Sequence, residues 1–178
     1  MGPPVLAVTL LGPKDPQRVA MPIPIKIEVR NLSQQSVWIV GVVDGSEQGI
    51  RYPHYLPRIA LGDEVVAEPP PPEDPLVGPL RLVDFRLLAP GEAFDPTSPH
   101  AGATFLPIST FSTFQPAGPG RYEFDLTLST ERQYPEQWLG YFGQDAERSA
   151  VLQRIAQVPR LTVRSNILEV EVLQPSLG

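Results

Sequence analysis

The clearest pattern in the chain is an alternation of hydrophobic and polar residues with a period of two. Between Ile23 and Val29 every second residue is Ile or Val, and the residues between them are Pro24, Lys26 and Glu28. Because successive side chains of a strand point to opposite faces of a sheet, this stretch predicts an antiparallel strand with one buried face. Pro24 has no N–H to donate, so we expect it near the start of the strand or on a free edge.

The same signal recurs along the chain, with Gly, Pro, Asn and Asp between the runs. Alternating stretches cover residues 6–10, 83–87, 122–128 and 168–172, and residues 36–43 are apolar at nearly every position. The last pattern is typical of a strand covered on both faces. Together these runs predict an all-β fold, an Ig-like antiparallel β-sandwich of about seven to nine strands. At this length we expect one domain spanning 1–178.

Two segments depart from the strand pattern. The stretch from Gly62 to Gly78 carries four consecutive prolines and predicts an extended, proline-rich loop at about 67–78. The other is an insertion at about 131–158, whose second half, 144–157, predicts the one short helix of the fold. Asp145 is the expected N-cap of that helix, and Pro159 ends it.

Three positions carry signatures of a sandwich. Trp38 lies in the middle of an apolar run, where it either fills the core between two sheets or serves as a stacking platform for a ligand. Tyr122 follows Gly120 at the start of a strand, the arrangement of a tyrosine corner, whose hydroxyl ties the strand to the preceding loop. Ser165 and Asn166 interrupt the last strand, which predicts a bulge or a switch between sheets.

Four turn and strand signatures, in this order, resemble a family pattern. They are Asn31-Leu-Ser33 after a strand, Leu88-Ala-Pro-Gly-Glu92, Pro119-Gly-Arg-Tyr122, and Ser165-Asn166 before a terminal Val-rich strand. The layout resembles Ig-like β-sandwich modules of bacterial proteins of unknown function. It is loosely similar to the bacterial intracellular proteinase inhibitor family, which implies an inhibitor that presents a loop to a protease. The insertion at 131–158 departs from the short hairpin of a minimal sandwich.

Composition narrows the classes of function. The chain contains 23 prolines yet is 42% hydrophobic with a net charge of only -6, so it predicts a folded protein rather than a disordered one or a helical bundle. The absence of cysteine excludes disulfides, zinc-thiolate sites and a cysteine nucleophile. An isoelectric point near 4.9 with scattered basic residues argues against nucleic acid. The apolar runs are too short for a transmembrane segment.

The basic residues are 12 Arg and 2 Lys, a bias typical of a high-GC bacterial genome, with a thermophile as the alternative. The first residues lack the basic region of a signal peptide. We therefore expect a cytoplasmic protein, or a secreted or periplasmic one if a signal peptide has been removed.

Candidate chemistry is sparse, and we expect no enzyme and no cofactor. His54 and His100 lie in different predicted loops, and neither their spacing nor that of the acidic residues matches a known metal motif. We assign no catalytic, cofactor-binding or metal residue.

Aromatic residues in the predicted loops are the best candidates for contacting a protein partner, because Tyr and Trp are frequent anchors of interfaces. The candidates are Tyr52, His54, Tyr55, Tyr134, Trp138, Tyr141 and Phe142. In the alternative interpretation the insertion folds back and its rings form a satellite core. The sequence thus predicts a non-enzymatic binding or structural module. The alternatives are a proteinase inhibitor that presents the proline-rich loop, and a metal-dependent hydrolase.

Overall fold

The structure is a computed structural model that describes residues 2–69, 71 and 76–177. Of these residues 33% lie in strands and 11% in helices, so the prediction of an all-β fold is confirmed. Part of the predicted proline-rich loop, residues 70 and 72–75, lies outside the described residues. None of the helices within the described ranges has the length and hydrophobicity that crossing a bilayer requires.

The described residues form eleven strands and two short α-helices. In chain order they are β1 (Leu6–Leu11), β2 (Gln17–Arg18), β3 (Lys26–Asn31), β4 (Val37–Val40), β5 (His54–Leu61), β6 (Glu64–Ala67), β7 (Phe85–Leu88), β8 (Ala93–Phe94), α1 (Ser109–Ser112), β9 (Gly120–Ser129), α2 (Arg148–Ile155), β10 (Thr162–Arg164) and β11 (Leu168–Leu173). Two 3-10 turns, Leu82–Asp84 and Pro135–Trp138, precede β7 and α2.

These strands form three sheets. The largest has the order β2-β11-β9-β5-β6, with β10 also paired to β9. A three-stranded sheet has the order β1-β3-β8, and β4 pairs with β7. All pairs are antiparallel except β2 with β11, where Val172 lies opposite Gln17. Strand β9 is the centre of the large sheet because it pairs with β5, β10 and β11.

The predicted strands are present, with shifted ends. Strand β3 begins at Lys26, so Pro24 lies just before its start, as expected. Strand β4 ends at Val40 rather than at Val43, because the backbone of Val42 bonds instead to Pro96 and Leu106.

The sequence prediction missed the hairpin of β5 and β6 and was wrong to place residues 54–57 and 64–67 in loops. Pro57 had suggested a loop, but β6 reaches only as far as Ile59. Pro57 therefore lies where that edge of β5 is unpaired, the position at which a strand tolerates proline. The hairpin turns at Gly62, whose φ of 61° lies in the left-handed region that such tight turns require.

The insertion contributes directly to the main hydrophobic core. Its buried residues contact the same core as the inward sides of the sheets. They are Trp138, Leu139, Val151, Ile155 and Val158. The insertion therefore folds back on the strands, and its apolar side chains are part of the principal core rather than of a satellite.

Helix α2 is shorter than predicted. It covers Arg148–Ile155, and Asp145 is not its N-cap. Glu147 occupies the N-cap position in a left-handed conformation, with φ 62°, so the helix cannot begin any earlier in the chain. The Glu147 carboxylate accepts a hydrogen bond from the Leu82 N–H at 3.2 Å, and this contact compensates part of the backbone cost.

The positions singled out in the sequence, Tyr122, Ser165, Asn166 and Trp38, have clear structural roles. The Tyr122 hydroxyl donates to the Gly118 carbonyl at 2.8 Å, so the predicted tyrosine corner is present. Between β10 and β11 three residues face two on β9, which makes the predicted bulge. The Asn166 side chain there bonds both the N–H and the carbonyl of Leu10 in the other sheet. Trp38 is half-buried, and the Arg154 guanidinium covers its ring at 3.8 Å.

Candidate interaction surface

The fold brings the two aromatic segments predicted from the sequence into contact. The Tyr52 ring stacks on His54 with 3.7 Å between ring centroids and lies 6.4 Å from the Trp138 ring. The Tyr52 hydroxyl also donates to the Glu131 carbonyl at 3.3 Å. The start of β5 and the insertion therefore form one continuous region, although they are far apart in sequence.

Two of the predicted partner-binding residues were wrongly assigned, because their side chains are buried. Tyr55 lies in β5, not in a loop, and its hydroxyl donates to the Val40 carbonyl at 2.7 Å. Complete burial raises the pKa of Tyr55. Trp138 has no exposed surface, the Arg132 guanidinium lies 5.8 Å from its ring, and the indole N–H finds no acceptor among the described residues. Neither ring can contact a partner.

Three of the predicted residues do present their rings to solvent. Tyr134 is 58% exposed, Tyr141 56% and Phe142 57%. They flank the 3-10 turn that carries the buried Trp138, in a segment that we call the aromatic loop (residues 134–142). The three rings fall within nine residues of the sequence, and exposed apolar side chains that cluster are a mark of interaction sites.

Arg51 holds the aromatic loop against the rest of the fold. Its guanidinium is 2% exposed and donates to the Trp138 carbonyl at 2.8 and 3.2 Å. It also donates to the carbonyls of Gly78 at 2.7 Å and Asp44 at 3.3 Å. Burial lowers the pKa of Arg51 to about 10. One side chain thereby connects three segments that lie far apart in the sequence, a role that the sequence prediction missed.

The far end of the aromatic loop is held by Gln144. Its side-chain oxygen accepts hydrogen bonds from the N–H groups of Leu80 and Gly140 at 2.8 and 2.7 Å. Its side-chain amide donates to the Leu80 carbonyl at 2.8 Å. Gly140 fits so closely against Gly78 that a Cβ there would collide with the Gly78 carbonyl. The backbone of the aromatic loop is therefore held at Trp138 and at Gly140, directly before the exposed Tyr141 and Phe142.

His54 is half-buried beneath Tyr52, and burial lowers its pKa below the ordinary value of 6.5. The unfolded chain then binds a proton at a higher pH than the folded chain does. We expect the free energy of unfolding to fall as the pH drops below about 6.5, because protonation favours the unfolded state. Urea denaturation between pH 7.5 and 5 measures this slope.

The variant His54→Gln should flatten that pH dependence, whereas His100→Gln, the same change at the other histidine, should leave it in place. An unchanged slope in His54→Gln would contradict the assignment to His54.

The structure does not bring the two histidines together. His54 lies at the start of β5, whereas His100 lies near β7 with its Nδ1 3.4 Å from Arg86. Within the described ranges, no three His, Asp or Glu side chains are grouped closely enough to hold a metal ion.

Comparison of the chain with models of protein families, with curated proteins and with solved structures finds no match. We therefore infer the role of the aromatic loop from the exposure of its rings and from the contacts that hold its backbone.

Proposed function

We propose that the protein is a non-enzymatic binding module that contacts a protein partner through the aromatic loop. The observation that carries the proposal is the exposure of more than half of the Tyr134, Tyr141 and Phe142 side chains on a backbone fixed by Arg51 and Gln144. Aromatic side chains are enriched at the centres of protein interfaces, where they contribute most of the binding energy.

The fixed backbone favours binding because it lowers the entropy lost on association. The buried Trp138 anchors the loop to the core, so the exposed rings need little further ordering when a partner covers them. In this proposal the strands form an Ig-like β-sandwich that serves as a rigid support for the loop. The tyrosine corner at Tyr122 and the single core shared by the sheets support that arrangement.

The triple variant Tyr134→Ser, Tyr141→Ser and Phe142→Ser tests the proposal. Because the three rings are exposed, we expect the free energy of unfolding to change by less than about 1 kcal/mol. Partner binding should be lost, since aromatic residues are enriched among the few interface positions whose truncation costs about 2 kcal/mol or more. A photoreactive phenylalanine analogue, introduced at position 142 in cells that naturally make the protein, should form a discrete crosslink identifiable by mass spectrometry.

A matched control replaces three apolar residues of similar exposure outside the loop with Ser. Met21, Ile167 and Leu173 are 55%, 54% and 46% exposed and suit this purpose. Competition by unlabelled protein should suppress the crosslink, and the control triple variant should compete as well as the parent protein. Equal competition by the aromatic triple variant would show that the loop is not the binding surface.

A further inference from the structure

A second surface, separate from the aromatic loop, lies at the end of the large sheet. Strand β6 is the last strand in the order β2-β11-β9-β5-β6, so among the described residues one of its edges is unpaired. Its two valines, Val65 and Val66, are 41% and 37% exposed. An unpaired edge presents backbone N–H and carbonyl groups to which another strand can bond.

A groove of about 750 Å³ runs beside this strand. One wall is formed by Val66, Ala67 and Glu68, and the other by the segment 113–118 that follows α1. Its volume lies within the range typical of ligand sites, about 300 to 1,000 Å³.

Aromatic packing makes the floor of the groove rigid. Leu61, Phe114 and Tyr122 line it, and the Phe114 ring lies 5.6 Å from Tyr122 and 6.0 Å from Phe124, edge to face. Such pairs hold each other in place. The groove is therefore a preformed, largely apolar depression bounded on one side by β6, the strand whose other edge is unpaired among the residues that the structure describes.

Negative charge at the two ends of β6 limits which segments can bind in the groove. Glu64 begins β6 and Glu68 follows its last residue. Both are exposed, and Glu68 also lines the groove. In the described part of the chain neither carboxylate forms an ion pair. Two copies of this edge would bring like charges together, which destabilises pairing between strands. A partner with basic residues at the same spacing would instead be attracted.

We propose that the groove binds an extended peptide segment of a partner protein, which adds to β6 as a further strand. Strand addition combines backbone hydrogen bonds with pockets for alternate side chains. Strand β6 has four residues, so the bound segment would contribute about four residues, or roughly 13 Å of extended chain. Apolar side chains would enter the groove, and Lys or Arg at the two ends would face Glu68 and Glu64.

Selection from a displayed library of random nonapeptides tests this specificity. We expect selected peptides to share alternating apolar residues with Lys or Arg on both sides. The double variant Glu64→Lys and Glu68→Lys should select acidic flanks instead, and it should bind the original peptides at least tenfold more weakly. Glu171→Lys, the same charge change on β11, serves as the control and should keep the basic preference.

Backbone methylation separates strand addition from simple apolar contact. A selected peptide with N-methyl groups at alternate positions cannot form a ladder along one edge, so its affinity should fall at least tenfold when the methyl groups face β6. Val66→Pro should weaken binding of the unmodified peptide, with circular dichroism confirming that the variant is folded.

Several outcomes would overturn the proposal. These are the absence of an enriched consensus, a consensus whose charge does not reverse with the double Lys variant, or equal affinity for methylated and unmethylated peptides. Binding only after residues 70–75 are replaced by a Gly-Ser linker would assign the groove to the chain's own segment. A dimer by light scattering that Val66→Pro dissociates would assign it to a second copy.

Because the groove shares no residue with the aromatic loop, the variants Tyr134→Ser, Tyr141→Ser and Phe142→Ser should leave peptide affinity unchanged.

Discussion

Replacement of Arg51 by Ala is expected to lower the free energy of unfolding by about 4 kcal/mol, measured by urea denaturation at pH 7. The guanidinium is 2% exposed and donates to the carbonyls of Asp44, Gly78 and Trp138. Without it, these carbonyls lose a charged donor in a region that water reaches poorly. Each hydrogen bond to a charged group contributes about 1.5 to 3 kcal/mol, and a buried acceptor left without a donor incurs a further penalty.

Two further substitutions make this prediction specific. Arg51→Lys keeps the charge but has its three donors on one nitrogen, which cannot reach carbonyls that bond to different nitrogens of the guanidinium, so we expect an intermediate loss of about 2 kcal/mol. Arg121→Ala removes an arginine that is 69% exposed and paired with Glu169, and it should cost less than about 1 kcal/mol. If Arg51→Ala cost no more than Arg121→Ala, Arg51 would not be holding the aromatic loop.

Replacement of Trp138 by Ala is expected to lower the free energy of unfolding by about 4 kcal/mol, because it removes a fully buried ring from the core. Trp138→Phe should cost much less, about 1.5 kcal/mol or below. The smaller ring leaves a cavity, but the indole N–H, which has no acceptor among the described residues, is removed at the same time. Chemical denaturation of both variants measures the difference.

Tyr134→Ala provides the matched control, since this ring lies in the same loop but is 58% exposed. It should change the free energy of unfolding by less than about 0.5 kcal/mol. Similar losses in Trp138→Ala and Tyr134→Ala would mean that the insertion does not share the main core. The melting temperature of a variant lacking residues 131–158 addresses the same point, and we expect that variant to be unfolded.

Periodicity was sufficient to locate the strands in which hydrophobic and polar residues alternate. Alternation predicted β1, β3, β9 and β11, because the faces of a strand repeat every two residues whatever the strand packs against. Gly120 and Tyr122 predicted the tyrosine corner because its hydrogen bond spans only four residues. Strand β5 was missed, since Pro57 suggests a loop and is tolerated only because β6 stops short of it.

In the candidate site, too, the sequence predicted some features and missed others. Residue type singled out aromatic segments at 52–55 and 134–142, and the fold brings them together. Type did not separate Tyr55 and Trp138, which are buried, from Tyr134, which is exposed. Exposure depends on which side of a backbone faces the core, and in irregular segments no short repeat encodes that direction.

The sequence by itself determined that this is an all-β protein with turns at many of its prolines and with aromatic residues concentrated in a few segments. These properties arise from local periodicity and from the fixed geometry of proline and glycine. Only the tertiary structure decided that Arg51 connects three distant carbonyls, that three rings remain exposed, and that β6 forms an open edge beside an apolar groove. Each of those features depends on contacts between segments far apart in the chain, and such contacts leave no pattern within any one segment.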